Sequence, residues 1–166
     1  MLRIADAFHT GFVVEDLESA RDRLSEQLDV SWTPVEDRHL TLRGPDGTSD
    51  VRLRFTYTTE GPHRIELLGA VPGTVWETAG PRQHGTVAAH HIGIWCDDLI
   101  GRSEALAAAG APLLVTYAGA SEHPVGFAYH RLASGLLVEL VDAARRPAFE
   151  RWFAGGPFPV GHASET

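Results

Sequence analysis

Apolar residues along the chain show two patterns, a run typical of a strand followed by the spacing typical of a helix, and this order occurs twice. Residues 9–14 and 91–96 are short runs of apolar, β-branched and aromatic residues, which are typical of buried strands. Each run leads into a stretch with apolar residues at helical spacing, residues 16–28 and 98–109, and each stretch begins with an aspartate suited to cap a helix. The pattern therefore predicts a strand followed by a helix at two places in the chain.

The two strand–helix units are related as an internal repeat. When the segment HTGFVVEDL is aligned with HIGIWCDDL, His9 pairs with His91 and Gly11 pairs with Gly93. The acidic pair and the leucine that end the two segments also coincide. Such self-similarity indicates that one structural unit is present twice, so residues at matching positions are expected at matching places in the fold.

Each repeat ends in another apolar strand that contains a single glutamate. The segments HRIELLGA and GLLVELVDA carry Glu66 and Glu139 at corresponding positions. Between its helix and its final strand, each repeat has room for two more strands, predicted at residues 31–43, 50–59, 112–117 and 125–132. The order in each half is therefore strand, helix, strand, strand, strand.

This order of elements predicts an α+β fold built from two tandem βαβββ modules. We expect the first module at residues 7–70 and the second at residues 90–142, joined by a linker at residues 71–89 that is rich in Gly and Pro. Residues 143–166 are predicted to form a short amphipathic helix followed by a tail.

Composition and charge exclude several classes of function. The chain has a net charge of −8, and all 14 of its basic residues are arginine, because the sequence contains no lysine. The acidic balance argues against a nucleic acid partner, and the absence of lysine excludes Schiff-base chemistry and a phosphate-binding P-loop lysine. A single cysteine excludes an intrachain disulfide framework and a Cys-rich zinc site. Because no apolar stretch could span a membrane and no export signal is recognisable, we expect a cytoplasmic protein without a membrane partner.

The repeat makes two histidines and two glutamates candidates for a functional site. Alternation along the strand places His91 on the same face as Gly93 and turns His90 to the opposite face. A lone strand histidine or glutamate is usually structural or solvated, but an ionised carboxylate between apolar neighbours in a central strand is costly unless it is paired or bound to a metal. The joint recurrence of His and Glu therefore favours His9, Glu66, His91 and Glu139 as one cluster.

The placement of these four residues resembles the vicinal oxygen chelate superfamily, which includes glyoxalase I, methylmalonyl-CoA epimerase, extradiol dioxygenases and bleomycin resistance proteins. That family carries a His on the first strand and a Glu or Gln on the last strand of each of two βαβββ modules, and the similarity here covers residues 7–142. It implies two curved sheets that form one open barrel-like cleft. It also implies one divalent ion, for which Zn, Co, Ni, Mn and Fe(II) are all suited, bound by His9, Glu66, His91 and Glu139.

The same resemblance implies proton transfer next to a carbonyl or thioester group, as in an epimerase, an isomerase or a glyoxalase-type lyase. Glu139 is the first choice for the catalytic base and Glu66 the second. Where the epimerases carry a second base, this chain offers only Asp46 and Asp50. The alternative is a binding protein that sequesters small apolar molecules without catalysis, as some relatives do.

Aromatic residues are candidates for the wall of the substrate pocket and for an oligomer interface. Trp95, Tyr57 and Tyr129 are candidates for shaping the substrate pocket. The C-terminal helix carries two apolar clusters, Pro147-Ala148-Phe149 and Trp152-Phe153, which would form an exposed apolar patch on a monomer of 18.0 kDa. Together with the family resemblance, that patch predicts a homodimer.

Overall fold

The computed structural model describes residues 2–78 and 87–159. The strands are β1 (Ala7–Val14), β2 (Glu36–Gly44), β3 (Gly47–Tyr57), β4 (Arg64–Gly69), β5 (Ala89–Cys96), β6 (Leu113–Tyr117), β7 (Phe127–Arg131) and β8 (Leu137–Asp142). The helices are α1 (Leu17–Leu28), α2 (Leu99–Ala108) and α3 (Arg146–Phe153). The predicted α+β class and the order of elements in both modules are confirmed. Part of the expected linker, residues 79–86, and of the tail, residues 160–166, lies outside the described residues.

The eight strands form one barrel in the order β1-β4-β3-β2-β6-β7-β8-β5. Each module contributes four neighbouring strands, and the modules meet where β1 runs antiparallel to β5. On the opposite side, β2 and β6 pair only between Leu42 and Tyr117 and between Arg43 and Thr116. The cleft implied by the family resemblance is thus closed along one side by a short strand contact, and its walls become the inside of a barrel.

Two helices cover the outside of the barrel in the way that the repeat predicts. The side chain of Asp16 accepts a hydrogen bond from the backbone N–H of Ser19, and Asp98 accepts one from Gly101, each at 2.9 Å, so both helices begin at an aspartate cap. In α1, the buried Leu17 packs with Val14 and Leu67 of the barrel wall. No helix within the described ranges is both long and apolar enough to cross a membrane.

The third helix closes one end of the barrel. Phe149, Trp152 and Phe153 of α3 are all buried, and the ring centroid of Trp152 lies 5.5 Å from that of Tyr57 inside the barrel. The expectation that these residues form an exposed patch is therefore wrong, because the apolar face of α3 is buried against the chain's own barrel. The predicted homodimer loses this part of its support.

Candidate metal centre

The four candidate side chains meet inside the barrel. Nε2 of His9 lies 2.9 Å from Nε2 of His91, and 3.2 Å from Oε2 of both Glu66 and Glu139. Nε2 of His91 lies 3.1 Å from Oε2 of Glu66 and 3.5 Å from Oε2 of Glu139. Both imidazoles are fully buried, and the carboxylate side chains are 6% and 13% exposed. The residues selected from the repeat thus form one compact cluster.

Two glycines make room for the histidine rings. The antiparallel register of β1 and β5 places His9 opposite Gly93 and Gly11 opposite His91. A Cβ atom at Gly93 would overlap the ring of His9, and a Cβ atom at Gly11 would overlap the ring of His91. The repeated glycine in the sequence is therefore explained by the close approach of an imidazole to the neighbouring strand.

Parallel strand pairs bring the glutamates to the same level of the barrel. Glu66 of β4 lies beside Gly11 of β1, and Glu139 of β8 lies beside Gly93 of β5. Because each glycine has no side chain, the carboxylate next to it can reach the imidazole of the other module. The ligand cluster is thus shared between the two modules, with one His and one Glu from each.

The geometry of the cluster fits a divalent metal ion. Ligand atoms at about 2.0–2.2 Å from a common metal lie roughly 2.8–3.6 Å apart in tetrahedral or adjacent octahedral positions, and the five distances given above lie between 2.9 and 3.5 Å. Oε2 of Glu66 and Oε2 of Glu139 are buried without a hydrogen-bond partner in the described residues, although both lie near imidazole nitrogens. All four side chains thus offer an atom to one common point, as metal ligands do.

Protons compete with a cation for this cluster. Burial by itself lowers the pKa of His9, but the nearby carboxylates of Glu66 and Glu139 outweigh burial and raise this pKa to about 9. The pKa of His91 is also raised by the two carboxylates against the effect of burial. Burial favours the neutral form of each glutamate, yet the two histidines hold both carboxyl pKa values below their ordinary range. A metal ion must therefore displace a proton from the imidazoles when it binds.

His90 holds the second histidine in one tautomer. Nε2 of His90 lies 2.7 Å from the carbonyl oxygen of Val75, which can only accept, so this nitrogen must donate. Burial, together with the nearby His91, lowers the pKa of His90 to about 4, which keeps the ring neutral and makes its Nδ1 an acceptor. Nδ1 of His91 lies 3.0 Å away and must therefore carry the donated proton. Nε2 of His91 is therefore the nitrogen that offers its lone pair to a metal once the competing proton has left.

The expectation that His90 faces away from the site is wrong, because its ring contacts that of His91. The expectation came from strict alternation of side chains along the strand. The pairing of β1 with β5 shifts register at this point, since Gly11 pairs with His91 while the next residue, Phe12, pairs with Ala89. His90 is thus the extra residue of a β-bulge, and a bulge redirects the side chains that alternation would place. Only the His-His dipeptide itself could have suggested its role.

Two tyrosines flank the cluster at repeat-equivalent positions. Tyr57 pairs with Glu66 across β3 and β4, and Tyr129 pairs with Glu139 across β7 and β8. The hydroxyl of Tyr129 lies 3.2 Å from Nε2 of His91. The indole N–H of Trp76 donates to the same hydroxyl oxygen at 3.4 Å, so the proton of Tyr129 is directed towards Nε2 of His91. Trp76, from the segment between the modules, had no signal in the sequence.

A small cavity adjoins the two glutamates. It has about 50 Å³ of free space, and Tyr57 and Tyr129 stand in its wall beside Glu66 and Glu139. Its remaining wall is mostly aromatic and aliphatic and includes two residues of the C-terminal segment, Phe149 and Phe158, and one arginine, Arg145.

Three other candidates lie away from this cavity. Trp95 stacks on Phe8 with ring centroids 3.8 Å apart and contacts α3, but it does not line the cavity. Asp46 lies in the turn between β2 and β3, and Asp50 lies on β3, where it accepts a hydrogen bond from Thr41. Both aspartates are exposed, so neither reaches the candidate metal centre.

Solved structures share this fold at low sequence identity. Methylmalonyl-CoA epimerase from Mycobacterium tuberculosis superimposes with a TM-score of 0.52 at 18% identity, covering 90% of this chain and 97% of that one. The hypothetical protein BH1468 from Bacillus halodurans C-125 gives 0.53 at 18% identity, covering 82% and 92%. A mutant of 4-hydroxymandelate synthase from Streptomyces coelicolor gives 0.50 at 19% identity, covering 83% of this chain but 38% of that one.

Sequence comparison identifies the superfamily. No functionally curated protein matches the chain significantly. The family model of the glyoxalase/bleomycin resistance protein/dioxygenase superfamily matches residues 8–129, which is most of the chain and includes His9, Glu66 and His91. The chain therefore belongs to the glyoxalase/bleomycin resistance protein/dioxygenase superfamily.

Proposed function

We propose that the protein is a divalent-metal-dependent enzyme that transfers a proton at the carbon next to a carbonyl or thioester group. The observation that carries this proposal is the convergence of two imidazole nitrogens and two carboxylate oxygens on one buried point beside an internal cavity. His9, Glu66, His91 and Glu139 would hold the metal. When bound, the metal would polarise the carbonyl oxygen of a substrate and so acidify the neighbouring C–H group.

The base in this proposal is Glu139. Glu66 and Glu139 both line the cavity and are the only carboxylates in its described wall. Glu139 is the more exposed of the two, with 13% of its side chain accessible against 6% for Glu66. It is therefore the carboxylate better able to reach a substrate C–H group and take up its proton.

Tyr129 would assist by binding the carbonyl oxygen of the substrate, whereas Glu139 acts on the C–H group. Its hydroxyl oxygen accepts the N–H of Trp76, and its own proton lies next to Nε2 of His91. A metal bound to that nitrogen would take up its lone pair, which would leave the proton of Tyr129 available to a substrate oxygen in the cavity. A hydrogen bond donated to that oxygen stabilises the negative charge that develops when the α-proton leaves.

The cavity favours chemistry with a single carboxylate base. An epimerase with a second, separate base needs another acidic group facing the substrate, and the exposed Asp46 and Asp50 do not supply one. Isomerisation or a glyoxalase-type lyase reaction needs one base that removes a proton and returns it, which Glu139 can do. An epimerase remains compatible only if Glu66 and Glu139 act on opposite faces of the substrate.

A binding protein that sequesters small molecules is the second candidate. It is favoured by the wall of the cavity, most of which is contributed by aromatic and aliphatic side chains. Such a protein would bind apolar molecules without a metal, whereas the enzyme requires the loaded metal centre.

Solvent exchange separates the two candidates. Metal-loaded protein is incubated in deuterium oxide with a panel of carbonyl and thioester compounds, and loss of the α-proton signal is followed by NMR. We expect exchange with the wild type and a loss of about 10²- to 10⁴-fold with Glu139→Gln, since an amide can still coordinate but cannot accept the proton. Equal exchange by Glu139→Gln with its metal retained would move the role to Glu66. Absence of exchange across the panel, with tight apolar binding by metal-free protein, would establish the binding candidate.

A homodimer is proposed from the family resemblance alone, since the apolar face of α3 is buried within the chain. Light scattering at micromolar concentration should then give twice the mass of 18.0 kDa. A monomer mass would exclude it.

A further inference from the structure

We propose that the substrate of this site is a short oxo acid, a small carbonyl compound whose carboxylate is bound by Arg145. The inference rests on the proposed function and deepens it, because it assigns the size and charge of the molecule on which the metal centre acts. Three observations support it: the volume of the cavity, the lack of a carboxylate partner for Arg145 in the described residues, and the aromatic rings around Arg145.

The volume limits the size of the substrate. A water molecule needs roughly 10–15 Å³ of such space, so a cavity of about 50 Å³ holds on the order of four waters, or a compound of about four to seven non-hydrogen atoms after small adjustments. Phe158 sets this limit at one wall, where its ring packs on Trp152 at 4.9 Å and on Phe55 at 5.5 Å. A larger group would have to displace the ring of Phe158 to enter this space.

The charge of the wall selects an anion. Arg145 is the only cationic side chain in the described wall of the cavity. Two other arginines, Arg38 and Arg146, do not line the cavity and are paired with Glu36 at 2.7 Å and with Glu150 at 3.9 Å. Arg145 contacts no carboxylate within residues 2–78 and 87–159. A guanidinium next to an apolar cavity gains most from a carboxylate that it can bind through two parallel hydrogen bonds.

The surroundings of Arg145 orient it without neutralising it. Its guanidinium carbon lies 5.1 Å from the ring centroid of Phe149 and 5.7 Å from that of Tyr117, so two aromatic faces support the charge. Gly126, at a φ of +72°, allows both side chains to pack here, because a Cβ atom there would lie 2.9 Å from the ring of Tyr117 and 3.3 Å from Nη1 of Arg145. Since Arg145 is part of the cavity wall, a carboxylate bound in the cavity can pair with its guanidinium.

A pair of matched probes tests the charge. Pyruvate and pyruvamide have nearly the same size, but only pyruvate carries a carboxylate, and their binding to metal-loaded protein is measured by isothermal titration. We expect wild type to prefer pyruvate, Arg145→Gln to bind pyruvate about tenfold more weakly with pyruvamide unchanged, and Arg145→Lys to recover part of the loss. Arg131→Gln is the control, because this exposed arginine of β7 contacts the carbonyl of Gly135 and does not line the cavity.

A second variant tests the limit that the cavity sets on the size of the substrate. Wild type should bind phenylpyruvate at least about tenfold more weakly than pyruvate, and Phe158→Ala should reverse much of this difference by removing a wall of the cavity. Equal binding of pyruvate and phenylpyruvate by the wild type, or tight binding of acetyl-CoA, would overturn the size limit. An unchanged preference for pyruvate in Arg145→Gln would overturn the role of Arg145.

The outcomes separate this inference from the proposed function. Metal content is measured on every preparation. A wild type that binds no metal contradicts the proposed function itself. A wild type that is loaded with metal and exchanges α-protons of other compounds, yet binds no pyruvate at millimolar concentration, contradicts the oxo-acid inference alone.

Discussion

The two modules supply the same pair of candidate ligands but support their histidines in different ways. In the second module, the residue before the ligand is His90, which together with the carbonyl of Val75 fixes the tautomer of His91. In the first module, the equivalent residue is Phe8, whose ring packs edge-on against His9 at 4.3 Å. Nδ1 of His9 is buried without a hydrogen-bond partner in the described part of the chain. The two modules therefore carry the same candidate ligands but different supporting residues.

The tyrosines show the same asymmetry. Tyr129 of the second module hydrogen-bonds with Trp76 and stands next to His91. Tyr57 of the first module lies next to Glu66 and packs in addition among the aromatic rings of α3, at 5.5 Å from Trp152 and 5.6 Å from Phe153. The difference is that Tyr129 has a hydrogen bond from an indole N–H, whereas the neighbours of Tyr57 in α3 are aromatic rings. We infer that the second module presets the geometry for a metal, while His9 on the first side takes up and releases the competing proton.

Removal of either ligand histidine should have the largest effect. His9→Ala and His91→Ala each delete one of four ligands from a buried site, so we expect both variants to lose stoichiometric metal. Elemental analysis of protein purified without chelator measures this directly. Wild-type metal content in both variants would refute the assignment.

Substitution of Gly11 or Gly93 should have the next largest effect. Gly93→Ala places a methyl group on the ring of His9, and Gly11→Ala does the same to His91, so each should destabilise the fold by about 1–3 kcal/mol and weaken metal binding. Gly69→Ala is a control, because a Cβ atom there makes only an ordinary contact of 3.7 Å with Arg54. Thermal unfolding and metal titration of the three variants provide the comparison. Equal behaviour of all three would show that the imidazoles have more space than the structure gives them.

The supporting residue of the second module can be removed without touching a ligand. His90→Ala should weaken metal binding by about 10- to 100-fold, since the orientation and tautomer of His91 are no longer fixed. Phe8→Leu is the matched change in the first module and should weaken binding less, because it alters packing and no hydrogen bond. Competition with a chromophoric chelator gives both affinities. A larger loss in Phe8→Leu would reverse the proposed division between the modules.

Acidity should change the stability and the metal affinity without any substitution at the centre. The pKa of His9 is about 9 in the folded, metal-free protein and about 6.5 in an unfolded chain. Stabilisation from its protonated form is complete below about pH 6.5 and is lost as the pH rises through about 9, so metal-free protein should melt at lower temperature across this window. Metal affinity should rise over the same window, by about tenfold per pH unit if one proton is released. Calorimetric scans of the metal-free wild type and of His9→Gln would show the contrast, and equal pH profiles would exclude His9 as the source.

The candidate ligands could be predicted from sequence because they are local features of a repeat. His9 and His91 lie at matching positions, and alternation along each strand is enough to place both in the interior. The glutamates follow from the same reasoning, since a single carboxylate among apolar strand residues must face a partner.

The residues missed by sequence reasoning depend on tertiary structure. His90 contacts His91 only because a bulge breaks the alternation of β5, and a bulge has no clear signature in a single sequence. Trp76 reaches Tyr129 across 53 positions of the chain. The aromatic face of α3 gives the same hydrophobic pattern whether it packs on its own barrel or on a second copy. Such contacts are decided by how the elements pack, which the pattern of one segment does not contain.

X-ray absorption at the metal edge of the loaded protein tests the central claim most directly, because it reads the ligands of the metal. Cobalt(II) is a suitable probe for a site of nitrogen and oxygen donors. We predict two imidazole nitrogens and two carboxylate oxygens at about 2.0–2.2 Å, and the loss of one imidazole contribution in any metal retained by His91→Ala. A spectrum without imidazole scattering, or one unchanged by His91→Ala, would contradict a metal centre built from His9, Glu66, His91 and Glu139.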